Sequence, residues 1–208
     1  MYKRQIEWIS IPKEASFDEE AILLAQATLQ SLNVDAEGLQ RSQALLNWPG
    51  RFHEIAAPWD GSILFDAAHN PSGMVRMLPQ LRARIEQELS WTLAFGCTPQ
   101  HDLTSFADPL IELCHQHPPE SIVLTKPQHG RYPGVDLETL RRLNWPASCT
   151  ILEQEDAAAT SDCLNELQPA FTLVIGSLYL VGEMYDALGY GGTEHMELFP
   201  AKTQRDEA

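Results

Sequence analysis

The stretch that decides the fold is ILFDAAHNPSG, residues 63–73. Its apolar first part predicts a buried strand that ends at Asp66. Asn70-Pro71 predicts a turn, because the residue before a proline is kept out of the helical conformation. Ser72 is then predicted to cap the helix that follows. A strand that passes through a tight turn into a helix is the repeating unit of an α/β sheet.

The same alternation continues towards the end of the chain. The other apolar runs are short and nearly continuous, which is typical of parallel strands covered on both faces by helices. The sequence therefore predicts an α/β fold with a Rossmann-like, doubly wound, mostly parallel sheet and right-handed crossovers, whose ligands bind at the carboxyl ends of the strands. Strands are predicted at 62–68, 91–96, 121–125, 149–153 and 171–177, and helices at 73–89, 103–117, 137–143, 157–167 and 179–188.

The segment before this alternation has a different pattern. Residues 18–33 have apolar positions at helical spacing, and a second short helix is predicted at 36–46. Two helices cannot close a core by themselves, so they are expected to be the helical end of a larger domain. The predicted organisation is a helical segment at 1–47, an interdomain linker rich in Pro, Gly and Trp at 48–61, the α/β domain at 62–190 and a flexible tail at 191–208.

The charge and the cysteine content of the chain indicate which classes of partner to expect. The chain has 14 Lys and Arg against 29 Asp and Glu, a formal net charge of −15. Such a surface repels phosphate backbones and anionic lipids, so nucleic acid and membrane are not expected partners. The amino terminus lacks the apolar region of a signal peptide, and a cytoplasmic protein is expected. The four cysteines are scattered without a CxxC pair, which predicts free thiols and no metal site.

Two strand ends carry candidate chemistry. After the first strand, Asp66, His69 and Asn70 bring together a carboxylate, an imidazole and a carboxamide, beside helix N–H groups that can receive an anion. The alternative is a capped turn in which Asp66 and His69 satisfy each other. At the last strand, Gly176 lets the backbone approach a ligand and Ser177 opens a helix. Here the alternative is an ordinary strand-to-helix turn.

Three segments, WPGRFHEI, ILFDAAHNPSG and IGSLYLVGE, occur in this order. Together they resemble the carboxy-terminal domain of folylpolyglutamate synthases and dihydrofolate synthases, members of the Mur ligase superfamily. The resemblance covers residues 48–189 and implies an ATP-dependent ligase. Such an enzyme phosphorylates a carboxylate of dihydropteroate or a folate and joins glutamate to it through the acyl phosphate. ATP and Mg²⁺ are the implied cofactors of the full-length enzyme, with no metal ligand in this chain.

The resemblance also implies roles for particular residues. Arg51 and Asp66 would contact ATP. His69 and Ser177 would contact the incoming glutamate, and His69 is the candidate catalytic group. A weaker match places Arg131 at a family position. The remaining motif residues are expected to support the turns, namely Asn70, Pro71, Ser72 and Gly176.

The chain departs from the family pattern in three respects. Ala67 stands where glycine is commonest, and His101 replaces a lysine that many members carry before Asp102. No G-x-x-x-x-G-K-[ST] occurs in the 208 residues, so nothing in the chain can enclose the β- and γ-phosphates. We therefore expect an amino-terminal P-loop domain as its missing partner, and no ligase or ATPase activity from the chain alone.

Alternatives remain open at this point. One is another Mur-type ligase that adds amino acids to a peptidoglycan precursor, although those usually carry a tyrosine where this chain has Ala67. Another is a non-catalytic α/β module that binds a partner protein, which predicts that Asp66, His69 and Ser177 point to separate places. A dinucleotide-dependent oxidoreductase is disfavoured, because no G-x-G-x-x-G follows the first strand.

Overall fold

A computed structural model describes residues 9–12, 17–36, 39 and 48–192. The described chain falls into two units, and the first contains helix α1 (Phe17–Ser31), in agreement with the helix expected at 18–33. Most of the second helix predicted at 36–46 and most of the predicted tail lie outside the described residues. The second unit contains the sheet and its helices.

The sheet has six strands in the order β1-β2-β6-β3-β4-β5. Strand β1 pairs antiparallel with β2, and every other neighbouring pair is parallel. This arrangement confirms the mostly parallel α/β sheet predicted from the apolar runs. The strands are β1 (His53–Ala56), β2 (Ser62–Asp66), β3 (Thr92–Phe95), β4 (Ser121–Thr125), β5 (Thr150–Gln154) and β6 (Phe171–Ile175).

Strand β1 lies inside the segment that was predicted as a linker, so that description of 48–61 is incomplete. Its register pairs His53 with Phe65 and Ala56 with Ser62. Burial alternates along its four residues, as expected for an edge strand that packs one face on the core. A strand this short, surrounded by Pro, Gly and Trp, has too little periodicity to be recognised in the sequence.

Helices cover both faces of the sheet, which confirms the doubly wound arrangement. Side chains alternate along β2: Leu64 packs in one apolar cluster with α2 and α3, while Phe65 packs in another with α5 and α6. Both residues are fully buried. The helices of this unit are α2 (Pro71–Ile85), α3 (Leu103–Gln116), α4 (Leu137–Arg141), α5 (Ala157–Leu167) and α6 (Leu178–Ala187).

The strand order places two outgoing connections side by side. Asp66 at the end of β2 is in register with Ile175 at the end of β6. Strand β2 leads into α2 on one face, whereas β6 leads into α6 on the other. Adjacent connections that diverge in this way mark the place where α/β sheets bind ligands.

The burial of the cysteines and the lengths of the helices are two further features of the fold. All four cysteines are free, two of them buried and two half-buried, so the prediction of free thiols is confirmed. Burial raises the pKa of the Cys97 thiol to about 12, which suppresses its reactivity. Within the described ranges, no helix has both the length and the apolar character needed to span a membrane.

Candidate functional site

Asp66 ends β2 and joins two segments of backbone. Its side chain is buried, with Oδ1 accepting the N–H of Ala68 at 2.8 Å and Oδ2 accepting the N–H of Phe52 at 3.0 Å. Burial raises the pKa of Asp66, and the two backbone hydrogen bonds oppose that rise. The alternative in which Asp66 and His69 satisfy each other is wrong, because both carboxylate oxygens bind backbone N–H groups instead.

His69 is the exposed group of this turn. Its Nδ1 lies 2.9 Å from the carbonyl oxygen of Ala67. Since a carbonyl only accepts, Nδ1 carries the hydrogen, and Nε2 of the neutral ring keeps a lone pair. Gln100 donates to the His69 carbonyl at 3.2 Å and steadies the backbone. The imidazole can therefore accept a hydrogen bond or a proton from a ligand through Nε2.

The residue that caps α2 is Asn70, so the prediction that Ser72 would cap it is wrong. Asn70 has extended backbone angles, and its Oδ1 accepts the Gly73 N–H at 2.8 Å. Ser72 lies inside the helix and donates to the same oxygen at 3.2 Å. The reason is Pro71: its φ is fixed at a helical value and it has no N–H to satisfy, so the helix begins there and the cap is one residue earlier.

The end of β6 is shaped by Gly176 and Ser177. Gly176 has φ +119°, and a Cβ there would lie 2.7 Å from the carbonyl oxygen of Gly96 at the end of β3. Only glycine fits this close approach. Ser177 is buried and its Oγ accepts the N–H of Tyr179 at 3.2 Å, so it opens α6 as predicted.

The backbone on both sides of Arg51 is held to this edge. The carbonyl of Gly50 accepts the Ala67 N–H at 2.8 Å, while Phe52 donates to Asp66. Gly50 and Phe52 both have positive φ, +72° and +45°. The Arg51 side chain is exposed and forms no hydrogen bond or ion pair with another described residue. This hydrogen-bonded turn thus presents an exposed guanidinium, whose positive charge opposes the rise in the pKa of Asp66.

The buried Tyr185 of α6 is hydrogen-bonded to the turn that carries Arg51, a contact that was not predicted. Its hydroxyl accepts the Gly50 N–H at 3.2 Å and shares a short hydrogen bond with Nδ1 of His53. Its ring stacks on Phe65 with centroids 4.3 Å apart. Burial raises the pKa of Tyr185 to about 12, so the phenol stays protonated and donates to His53.

The site residues thus lie at one edge but differ in exposure. The ends of β2 and β6 are neighbours, which brings residues 66–69 beside 176–177. Asp66 and Ser177 are buried, whereas Arg51 and His69 are exposed and can meet a ligand directly. Neighbouring strand ends place the backbone of these residues at one edge of the sheet, and of the four side chains only those of Arg51 and His69 face solvent.

A cluster of metal ligands and a phosphate loop are the two kinds of ligand-binding group relevant to this edge and to the other described residues. Among them, no three His, Cys, Asp or Glu side chains lie together in a way that could hold a metal ion. The 208 residues contain no G-x-x-x-x-G-K-[ST] phosphate loop.

The chain is similar in sequence and in fold to folylpolyglutamate synthases. No family model matches the chain. A probable bifunctional folylpolyglutamate synthase/dihydropteroate synthase of Haloferax volcanii is 28% identical over 160 residues, which cover 73% of this chain and 17% of that protein. A bifunctional folylpolyglutamate synthase/dihydrofolate synthase from Yersinia pestis, complexed with AMPPNP and Mn ion, superposes with a TM-score of 0.62 at 18% identity. The resemblance to folylpolyglutamate synthases is confirmed.

The chain matches only part of the length of the folylpolyglutamate synthases to which it is similar. The Yersinia pestis match covers 89% of this chain and 42% of the other. The Mycobacterium tuberculosis folylpolyglutamate synthase complexed with ADP and AMPPCP matches with a TM-score of 0.60 at 19% identity, covering 82% of this chain and 39% of the other. The chain therefore spans about two fifths of these enzymes, and it shares the fold of their carboxy-terminal domain.

Proposed function

We propose that this chain is the carboxy-terminal, amino-acid-binding part of an ATP-dependent folylpolyglutamate synthase or dihydrofolate synthase. The observation that carries the proposal is the edge formed by β2 and β6, where His69 and Ser177 lie on adjacent strand ends of a fold shared with those enzymes. The charge of −15 means that an anionic amino acid can be held only by placed groups such as these.

In the proposed reaction, ATP first phosphorylates a carboxylate of a folate or of dihydropteroate. The amine of glutamate attacks the acyl carbon, the bond from that carbon to the phosphate oxygen breaks, and phosphate leaves as the amine loses a proton. His69 orients the glutamate and offers Nε2 as the proton acceptor. Ser177 is buried and is proposed to support the same site from the start of α6, where its Oγ accepts the Tyr179 N–H. Positioning accounts for most of this chain's contribution.

Arg51 is proposed to reach the nucleotide phosphates. Its turn is rigid because Gly50 and Phe52 are both hydrogen-bonded to the β2–α2 connection. Because the backbone of the turn is already held, only the arginine side chain would have to be ordered when its guanidinium binds an anion. Asp66 would then serve the nucleotide through the turn that it holds, since both of its oxygens accept backbone N–H groups.

The partners proposed here are small molecules and a P-loop domain that binds ATP and Mg²⁺. A cytoplasmic location is proposed because free thiols are characteristic of reducing compartments. Nucleic acid and membranes are not proposed as partners because of the acidic charge.

The test is a titration of the ¹⁵N-labelled 208-residue chain with L-glutamate, followed by amide chemical shifts. We expect shifts concentrated at residues 66–69 and 176–179, and their loss in His69→Ala with the remaining spectrum unchanged. D-glutamate and L-lysine are the matched controls, and a preference for either would favour a peptidoglycan-type ligase instead. Absence of shifts at both strand ends would refute the proposal.

A second experiment tests the proposal that another domain supplies the nucleotide site. The purified chain with ATP, Mg²⁺, a folate and L-glutamate should release no ADP, because no phosphate-enclosing loop occurs in its sequence. Release of ADP at a rate that Arg51→Ala abolishes would contradict the proposal that another domain supplies the nucleotide site.

A further inference from the structure

Glu183 on α6 binds the backbone of a distant loop. Its side chain is 12% exposed. Both carboxylate oxygens accept the N–H of Gln128, at 2.9 and 3.0 Å, and Oε1 also accepts the N–H of His129 at 2.6 Å. The His129 ring adds Nδ1 at 3.4 Å from the same oxygen. A carboxylate that accepts consecutive backbone N–H groups makes strong, directional hydrogen bonds.

The loop held in this way joins β4 to α4 and comprises residues 126–136, here called the β4–α4 loop. Further contacts fix its ends: Gln128 Nε2 donates to the carbonyls of Lys126 at 3.0 Å and Glu155 at 2.7 Å. The Val135 N–H donates to the Cys97 carbonyl at 2.9 Å. Its tip, residues 131–133, is exposed. The backbone is therefore anchored while the tip faces solvent.

This tip borders the candidate amino-acid site. A Cβ on Gly130 would lie 3.0 Å from the ring of Tyr179, so the loop backbone packs on that ring. The Tyr179 N–H in turn donates to Ser177 Oγ. The loop and the first turn of α6 thus form adjoining parts of one surface at the carboxyl edge of the sheet.

Arg131 is the cation that the tip presents. Its side chain is exposed and makes no hydrogen bond or ion pair with another described residue. Its guanidinium carbon lies 5.7 Å from the Tyr132 ring centroid, a contact that orients it without neutralising it. The chain has 29 acidic and 14 basic residues, and a guanidinium with no carboxylate partner in the described part of the chain is available to an external anion.

We propose that Glu183 is a positioning residue that holds the β4–α4 loop so that Arg131 binds a carboxylate of the incoming amino acid. This inference rests on the proposed function and assigns the group that recognises the substrate's negative charge. Without the Glu183 contacts the loop would sample other conformations, and ordering it would reduce the free energy of binding. Arg131 contacts the ligand, whereas Glu183 acts only through the loop.

The experiment compares Glu183→Gln, Glu183→Ala and Arg131→Gln with Glu153→Gln as the matched control. Glu153 is another carboxylate, in a surface ion pair with Arg141 at 2.7 Å. Two quantities are measured on the labelled chain: the exchange rates of the Gln128 and His129 amide hydrogens, and the Kd for L-glutamate.

We expect each Glu183 variant to speed exchange of both amides and to raise the Kd by about tenfold or more, corresponding to about 1.4 kcal/mol. Arg131→Gln should raise the Kd by a similar factor and leave the exchange rates unchanged. Glu153→Gln should change neither quantity. The loss of an acidic charge by itself would strengthen glutamate binding and lower the Kd. A higher Kd for Glu183→Gln would therefore come from the loss of loop positioning and not from the change in net charge.

Two outcomes would overturn the inference. If wild type binds L-glutamate and Glu183→Gln and Glu183→Ala bind it equally well, Glu183 does not position the site, while the proposed function stands. If wild type shows no L-glutamate binding, the proposed function fails and the inference fails with it. Should Glu183→Ala not fold, the isosteric Glu183→Gln and the surface variant Arg131→Gln decide the matter.

Discussion

Replacing Tyr185 by phenylalanine removes one oxygen atom from beneath the turn that carries Arg51. That hydroxyl accepts the Gly50 N–H and is hydrogen-bonded to His53 Nδ1. The tyrosine is 1% exposed and His53 is 9% exposed, so water cannot readily replace the lost partner. Two polar groups would therefore be left unsatisfied in the interior.

The magnitude follows from those two groups. A buried donor or acceptor left without a partner costs about 1–3 kcal/mol. The Gly50 bond is long at 3.2 Å, which places its share at the low end. The stacking on Phe65 is kept, because the ring itself does not change. We expect Tyr185→Phe to lower the free energy of unfolding by about 2–4 kcal/mol.

The assay is urea unfolding followed by tryptophan fluorescence, with an unchanged m-value required for the comparison. Tyr132→Phe is the control, because Tyr132 is 57% exposed. It should alter the free energy of unfolding by less than about 0.5 kcal/mol. A loss for Tyr185→Phe no larger than that of the control would refute the hydrogen-bonded support of the turn.

Three further predictions concern stability. Burial lowers the pKa of His53 below 6.5, so the unfolded chain binds the extra proton first. The contribution of neutral His53 to stability should be present above pH 6.5 and be lost as the pH falls through the folded pKa. The urea midpoint of His53→Asn should therefore depend less on pH than that of the wild type. Arg84 makes a bidentate ion pair with Glu54, and its guanidinium carbon lies 4.2 Å from the Phe171 ring centroid. Arg84→Ala should therefore lower the free energy of unfolding in urea by about 1–2 kcal/mol, and Arg84→Lys should restore only part of that loss. Gly176→Ala places a Cβ 2.7 Å from a backbone oxygen at φ +119°, and thermal unfolding should show a loss of about 2–4 kcal/mol; a wild-type melting curve would contradict the crowding inferred there.

Much of the fold follows from local patterns. Each apolar run predicted as a parallel strand overlaps a strand of the sheet, and Asn70-Pro71 predicted the turn at which α2 begins. These features depend on residues close together in the chain, such as a proline that fixes φ or an apolar stretch long enough for one strand. Ser177 was recognised as the start of α6 for the same reason.

The features that were missed depend on contacts between distant residues. Strand β1 gains its hydrogen bonds only by pairing with β2, and its four residues carry too weak a pattern alone. Tyr185 meets Gly50 across 135 positions. Glu183 meets Gln128 across 55. Nothing near either position in the sequence signals such a partner.

The sequence by itself determined the alternation of strands and helices from β2 onward, the turn after β2, the cap of α6 and the resemblance to folylpolyglutamate synthases. Only the tertiary structure decided that β6 inserts between β2 and β3, which Asp66 oxygen binds which backbone N–H, and which side chains at the edge remain exposed. The physical reason is the range of the interactions. Dihedral preferences and apolar periodicity act within a few residues, whereas buried polar groups take whichever partners the packed core brings within hydrogen-bonding distance.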